Sequence, residues 1–232
     1  MHKRHTRAAL VLLLVAIPSG ITGCWPFAVE DDDDDIVYDA GDTGGDNPCV
    51  AYGYVSRGVV EGVDDITRLA GCTYIEGDLV IEGTSLESLA GLEGLHAIGG
   101  SLVVRDNPSL ASLVGLDGLV QVDRGVTVER NPLLGDLAAL AWLMDVGGDL
   151  RIEGNLGLAS VEGLFGMVRL GGSLLSVTDN PVLSTCDAED LVEALEAKGF
   201  SGTVEIWGNK NVGPCEDVDG GIEAGEDAGG DV

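Results

Sequence analysis

The stretch Gly99–Asn131 reads Gly-Gly-Ser-Leu-Val-Val-Arg-Asp-Asn-Pro-Ser-Leu-Ala-Ser-Leu-Val-Gly-Leu-Asp-Gly-Leu, then Val-Gln-Val-Asp-Arg-Gly-Val-Thr-Val-Glu-Arg-Asn. It holds one whole structural period and the start of the next. Leu102 and Val104 alternate with Val103 and Arg105, Asn107 closes that strand, and leucines follow at 110, 113, 116 and 119. At Val126 the strand pattern restarts.

Working outward, six such strands align between Cys72 and Lys210. Their inward pairs are Leu79/Ile81, Leu102/Val104, Val126/Val128, Leu150/Ile152, Leu175/Val177 and Val204/Ile206, at intervals of 23, 24, 24, 25 and 29 residues. Alternation with period two marks half-buried strands. Recurrence near 24 residues makes them rungs of a stacked solenoid rather than hairpins. Three residues after each second member stand Thr84, Asn107, Asn131, Asn155, Asn180 and Asn209. Amides repeated at the ~4.8 Å strand spacing can bond one another and the turn backbone. Pro108, Pro132 and Pro181 follow three of them and fix φ where the chain leaves the sheet. Gly71, Gly99-Gly100, Gly147-Gly148 and Gly171-Gly172 precede strands, where corners need a permissive backbone. Leu86/Leu89/Leu92/Leu95 and Leu134/Leu137/Leu140/Leu143 keep the period of three, so each leucine marks an inward corner of one shared core. The longer last interval holds Asp187–Gly199, which reads as a short helix with acids in its first turn, Lys198 in its last and Gly199 as C-cap. Asp64–Ala70 reads as a short helical cap at the other end.

Composition agrees. Apolar residues are 45%, aromatics only 4%, and 36 of 232 residues are glycine, so the core is aliphatic and the turns are tight. The N-terminus has its own pattern. His2–Arg7 is basic and Ala8–Ile17 apolar, too short for the ~20 residues of a membrane span, which is the form of an export signal. Its ending, Ile21-Thr22-Gly23-Cys24, resembles the bacterial lipobox. That resemblance implies lipid on the Cys24 thiol, cleavage before it, and stable anchoring by several acyl chains. Trp25 rather than Asp after Cys24 argues against inner-membrane retention, so the expected address is the outer membrane or cell surface of a bacterium.

Residues 25–48 carry the run Asp31–Asp35 with Glu30, Asp39, Asp42 and Asp46 and no base, and read as an acidic, disordered tether. Residues 216–232 read as a second acidic tail. The domain plan is therefore 1–23 signal, 24–48 lipidated cysteine and tether, 49–215 solenoid, 216–232 tail. A net charge of −28 makes nucleic acid a poor partner, because phosphate neutralisation carries that affinity. Asp217-Val218-Asp219-Gly220 has the flavour of a calcium loop with Glu226 in place, but Cys215 stands where an early oxygen ligand belongs.

Cys24 aside, four cysteines remain, and an even number in an exported chain suggests disulfides with three possible connectivities. In a linear stack Cys49 and Cys72 flank the start while Cys186 and Cys215 flank the end, which pairs Cys49 with Cys72 and Cys186 with Cys215 as staples on the caps. None of the spacings is a zinc pattern.

Asp65-Ile-Thr-Arg-Leu-Ala-Gly-Cys72-Thr-Tyr-Ile-Glu-Gly-Asp-Leu79-Val-Ile81 resembles the opening of the receptor L domain, found in insulin- and EGF-receptor ectodomains. The later Gly-Gly-x-Leu-x-Val/Ile-x-x-Asn-Pro-x-Leu units are similar to it too, over about residues 49–215. The resemblance implies a mainly β, single right-handed parallel β-helix of about six rungs with disulfides at its ends. Leu150-Arg-Ile152-Glu-Gly-Asn155 also fits a leucine-rich-repeat core, although the usual Leu three residues earlier is replaced by Gly147, Gly99 or Asp123. Neither a kinase nor a Cys-rich module follows, so only ligand or partner binding transfers.

Beyond the leader, His96 is the only histidine, it lies in a turn, and no nucleophile stands near it in sequence. Outward positions form two columns: Val80, Val103, Thr127, Arg151, Ser176, Glu205, and Glu82, Arg105, Glu129, Glu153, Thr178, Trp207. Alternating charge along Glu82–Arg105–Glu129 is how a solvated sheet stabilises itself. As a binding face, Arg105, Glu129, Arg151, Glu153 and Trp207 would contact a protein or glycan, with Trp207 its aromatic anchor. The sequence thus predicts a non-catalytic, lipid-anchored binding or adhesion module without cofactor or metal. The alternatives are a structural envelope lipoprotein and a carbohydrate-active β-helix enzyme using two carboxylates on that face.

Overall fold

The computed structural model describes residues 54–55 and 58–215, all within the second of the two units into which the chain divides, Tyr38–Val232. The readings that fall on Cys24, Cys49, the acidic tether and the tail lie outside the described residues.

The described chain is mainly β, in two parallel sheets with few helices. The longer sheet contains the expected strands, Leu79–Glu82 (β4), Leu102–Arg105 (β6), Val126–Glu129 (β8), Leu150–Glu153 (β10), Leu174–Thr178 (β12) and Thr203–Trp207 (β13). A seventh, Gly58–Val60 (β2), precedes them and pairs Val60 with Ile81. The other sheet was not anticipated. It is built from two-residue strands, Tyr54–Val55 (β1), Tyr74–Ile75 (β3), Ala97–Ile98 (β5), Gln121–Val122 (β7), Asp145–Val146 (β9) and Arg169–Leu170 (β11). Up to β12 the strands alternate between the sheets, and each pairs in parallel with the next strand of its own sheet.

Register follows the sequence columns. Leu102 pairs with Leu79 and Val126, and Val104 with Ile81 and Val128. These inward residues are fully buried from β4 to β12. Between the strands the period of three has a backbone cause. Leu110 N–H bonds Asn107 O, Leu116 bonds Leu113 O and Leu119 bonds Leu116 O, at 3.0–3.3 Å, so the segment advances by i→i−3 turns. Such turns return every third side chain to the same side. Leu110, Leu113, Leu116, Leu119 and Val122 all enter the core, and at Ala138–Leu140 and Glu162–Leu164 the turns become 3-10 helix. Burying a leucine fully is worth about 1.5–3 kcal/mol, and this column supplies four in one period.

Two backbone columns set the spacing of neighbouring periods. The residue before each ladder position has positive φ: Gly83, Asp106, Arg130, Gly154, Asp179 and Gly208, at 66°, 57°, 50°, 67°, 54° and 73°. Glycine fills three of these positions at no steric cost, whereas Arg130 holds a left-handed conformation that arginine does not favour. At Gly147 an added Cβ would run into the Asp123 carbonyl of the preceding period, so this corner admits only glycine.

The helices stand at the two ends. Val63–Leu69 (α1) buries Ile66 and Leu69, close to the predicted cap. Thr185–Glu196 (α2) starts two residues before the predicted Asp187, because Ser184 Oγ accepts from Cys186 N–H at 3.1 Å and caps it. It ends before Lys198 and Gly199. Gly199 does take positive φ, 101°, just past the helix. Lys198 does not complement the helix dipole as expected; its Nζ donates to the Phe165 and Met167 carbonyls, 2.9 and 2.6 Å away, in the preceding period.

Candidate functional site

The face expected to bind is the outward side of the longer sheet, and strand register places each of its residues. Glu82, Arg105, Glu129, Glu153, Thr178 and Trp207 stand opposite one another along β4, β6, β8, β10, β12 and β13. Val80, Val103, Thr127, Arg151, Ser176 and Glu205 form the column beside them. All five candidate residues therefore lie on one sheet face, with Arg105, Glu129 and Glu153 in consecutive register.

Their charges are largely matched within the chain. Arg105 Nη2 donates to Glu82 Oε2 at 2.8 Å, which holds its guanidinium above the ordinary value; its Nε is buried without a partner. Glu129 Oε2 accepts from Arg130 Nη1 at 3.1 Å. Arg151 Nη2 reaches Asp149 Oδ2 at 3.3 Å, and Glu153 Oε1 accepts from Ser176 Oγ at 2.9 Å. Trp207 differs from these. It has 58% of its surface exposed, on a strand with no neighbour on its far side among the described residues.

A two-pronged charged pair lies one corner away. Arg130 Nε and Nη2 clasp Asp106 Oδ1 and Oδ2 at 2.6 and 2.9 Å, between the left-handed residues of successive periods. That fork holds the Asp106 carboxyl below, and the Arg130 guanidinium above, their ordinary values. Sequence reasoning missed this pair, although the 24-residue spacing of Asp106 and Arg130 was its signal.

Behind the face runs the amide ladder. Asn107, Asn131 and Asn155 are fully buried, and each Oδ1 accepts from the preceding period while each Nδ2 donates forward and back, at 2.9–3.3 Å. Thr84 starts the ladder with Oγ1 donating to Asn107 Oδ1 at 2.9 Å, and Asn209 ends it with Nδ2 donating to Val177 O at 2.7 Å. These residues are structural.

Cys186 and Cys215 form the expected disulfide, Cα to Cα 5.4 Å, tying α2 to the chain beyond β13. Cys72 is also disulfide-bonded. Among the described residues no cluster of three or more His, Cys, Asp or Glu is placed to hold a metal ion, and no helix is long and apolar enough to cross a membrane. His96 Nδ1 bonds the Gly94 carbonyl at 2.5 Å and is exposed. No protein-family model matches the chain, and neither does any curated protein or solved structure.

Proposed function

We propose that this chain is a non-catalytic binding or adhesion module, a right-handed parallel β-helix of about six rungs of the receptor L-domain type. In this reading Cys24 carries the lipid anchor at the outer membrane or cell surface, and residues 25–48 hold the module off the bilayer. Cys49–Cys72 and Cys186–Cys215 staple its ends. Its partner is a protein or a glycan, met by Arg105, Glu129, Arg151, Glu153 and Trp207.

The observation that carries it is Trp207: a large ring, 58% exposed, in register with buried Thr178 and, beyond it, with the charged column Glu153, Glu129 and Arg105. Exposed aromatic and arginine side chains are enriched among interface hot spots, and the exposed part of this ring adds nothing to folding until a partner covers it. A purely structural envelope role is supported by one contrary feature. Arg105 and Arg151 already hold acids of their own chain and would have to exchange partners to hold a ligand.

In-cell photo-crosslinking separates the two. A crosslinker at Glu205, beside Trp207, is expected to capture a defined partner, whereas one at exposed Glu93, on a different segment, captures none. Trp207→Ala is expected to abolish the capture with an unchanged melting temperature. Equal yields from the two positions, or capture that survives Trp207→Ala, rejects the binding reading.

A further inference from the structure

Each period is completed by the next through the same backbone groups. Leu79, Leu102 and Val126 N–H donate to the Ser101, Gly125 and Asp149 carbonyls at 2.9, 3.0 and 2.9 Å. Gly83, Asp106, Arg130, Gly154 and Asp179 N–H donate to Arg105, Glu129, Glu153, Thr178 and Trp207 carbonyls at 2.9–3.2 Å. The Ile81, Val104, Val128, Ile152 and Val177 carbonyls each accept an Asn Nδ2 from the following period.

In the last period the same positions are Val204 N–H, Gly208 N–H, the Ile206 carbonyl, and the N–H and Nδ2 of Asn209. On the β12 side, β13 uses Thr203 N–H, bonded to Ser173 O at 2.8 Å, and Trp207 O, which accepts from Asp179 N–H at 2.9 Å. Alternation along the strand directs Val204 and Ile206 to the opposite edge. Among the described residues no strand pairs there. The side chains agree, since Val204 and Ile206 are only partly buried whereas their counterparts from β4 to β12 are fully buried. Neither proline nor lysine guards this edge within Thr203–Trp207.

We propose that the open edge of β13 is a strand-addition site for an extended segment of another polypeptide. The segment lies parallel to β13, continues the core beyond Val204 and Ile206 with two alternate apolar residues, sets a basic residue opposite Glu205, and presents an Asn to Asn209. Charge selects this occupant. Glu205 is exposed, has Ser176 as its register neighbour and makes no ion pair among the described residues, while the arginines of this face are already paired. A second copy fits poorly. Two β13 strands placed antiparallel oppose Glu205 to Glu205. The leading edge of a second copy offers the three residues of β2, with Val63 at the ladder position. The site works through backbone groups at the strand edge and does not depend on the sheet face being used.

The chain supplies its own probe, because β10 has the required pattern with Arg151 opposite where Glu205 would stand. A fluorescein-labelled peptide with the sequence of residues 148–158, Gly-Asp-Leu-Arg-Ile-Glu-Gly-Asn-Leu-Gly-Leu, is titrated with the purified full chain and followed by anisotropy. Saturable binding is expected, about tenfold weaker for the peptide carrying Arg151→Glu and about tenfold weaker for Asn155→Leu. Glu205→Lys in the protein, at an exposed and unpaired position that leaves the melting temperature unchanged, is expected to reverse the preference between the Arg and Glu peptides. Absence of binding, equal binding of all three peptides, or sedimentation of the chain as end-to-end oligomers that the peptide does not dissociate each overturns the proposal.

Discussion

Asn131 uses every hydrogen-bonding group it has inside the core. Its Oδ1 accepts Asn107 N–H and Nδ2 at 3.2 and 3.0 Å, and its own Nδ2 donates to Val104 O and Asn155 Oδ1 at 3.0 and 3.2 Å. Asn131→Ala leaves two donors of Asn107 unmet in a dry interior and strips the Val104 carbonyl of its side-chain donor, at about 1–3 kcal/mol for each group that finds no water. The expected loss is about 3–5 kcal/mol, read as a lower urea midpoint at unchanged slope; a loss below about 1 kcal/mol would show that the ladder is not structural. This column is legible in the sequence because the same side chain returns at a fixed interval. The residue before it is legible only where it is glycine. Nothing in the identity of Arg130 announces a φ of 50°, since arginine has no left-handed preference and its place is set by the turn its neighbours impose.

At the scale of elements, length decides what a sequence can show. The four- and five-residue strands display alternation and are readable, whereas a two-residue strand such as Gln121–Val122 has no period of its own and merges into the run of every third residue. The face of the longer sheet followed from that alternation, and so did its Arg105–Glu82 pair across neighbouring strands. The other two did not, because Arg151 turns back to Asp149 just before its strand and Glu129 takes the adjacent Arg130. Helix α2 was readable as a helix with an acid, Asp187, in its first turn, but Lys198 falls beyond its last turn. Burial raises the Asp187 carboxyl, with Asp190 and Glu162 adding to the shift. A carboxyl raised in the folded state is penalised when ionised, so its contribution opposes folding at neutral pH and disappears as pH falls through the folded value. Asp187→Asn is therefore expected to raise the thermal midpoint at pH 7 by a few degrees, roughly 2–4 °C per kcal/mol recovered, with the gain shrinking toward pH 4. A gain that is the same at both pH values would place its cause in packing rather than in charge.

For the described part of the molecule, the parallel register makes stability a matter of neighbours: each inner strand of the longer sheet is bonded on two sides, β13 on one. Opening then costs least at a free end and most in the middle. Amide hydrogen exchange should follow that order. Val128 and Ile152 in β8 and β10, with ladder amides closing the corner beside them, are expected to exchange at least about a thousandfold more slowly than Val204, Ile206 and Gly208. The disulfide from Cys186 to Cys215 limits how far opening spreads inward, because it ties α2 to the chain beyond β13. Its reduction should raise exchange at Val177 in β12 while leaving Val128 unchanged. Uniform exchange across β6 to β13 would mean that the periods open together, and β13 would then be no freer to accept a strand than any other.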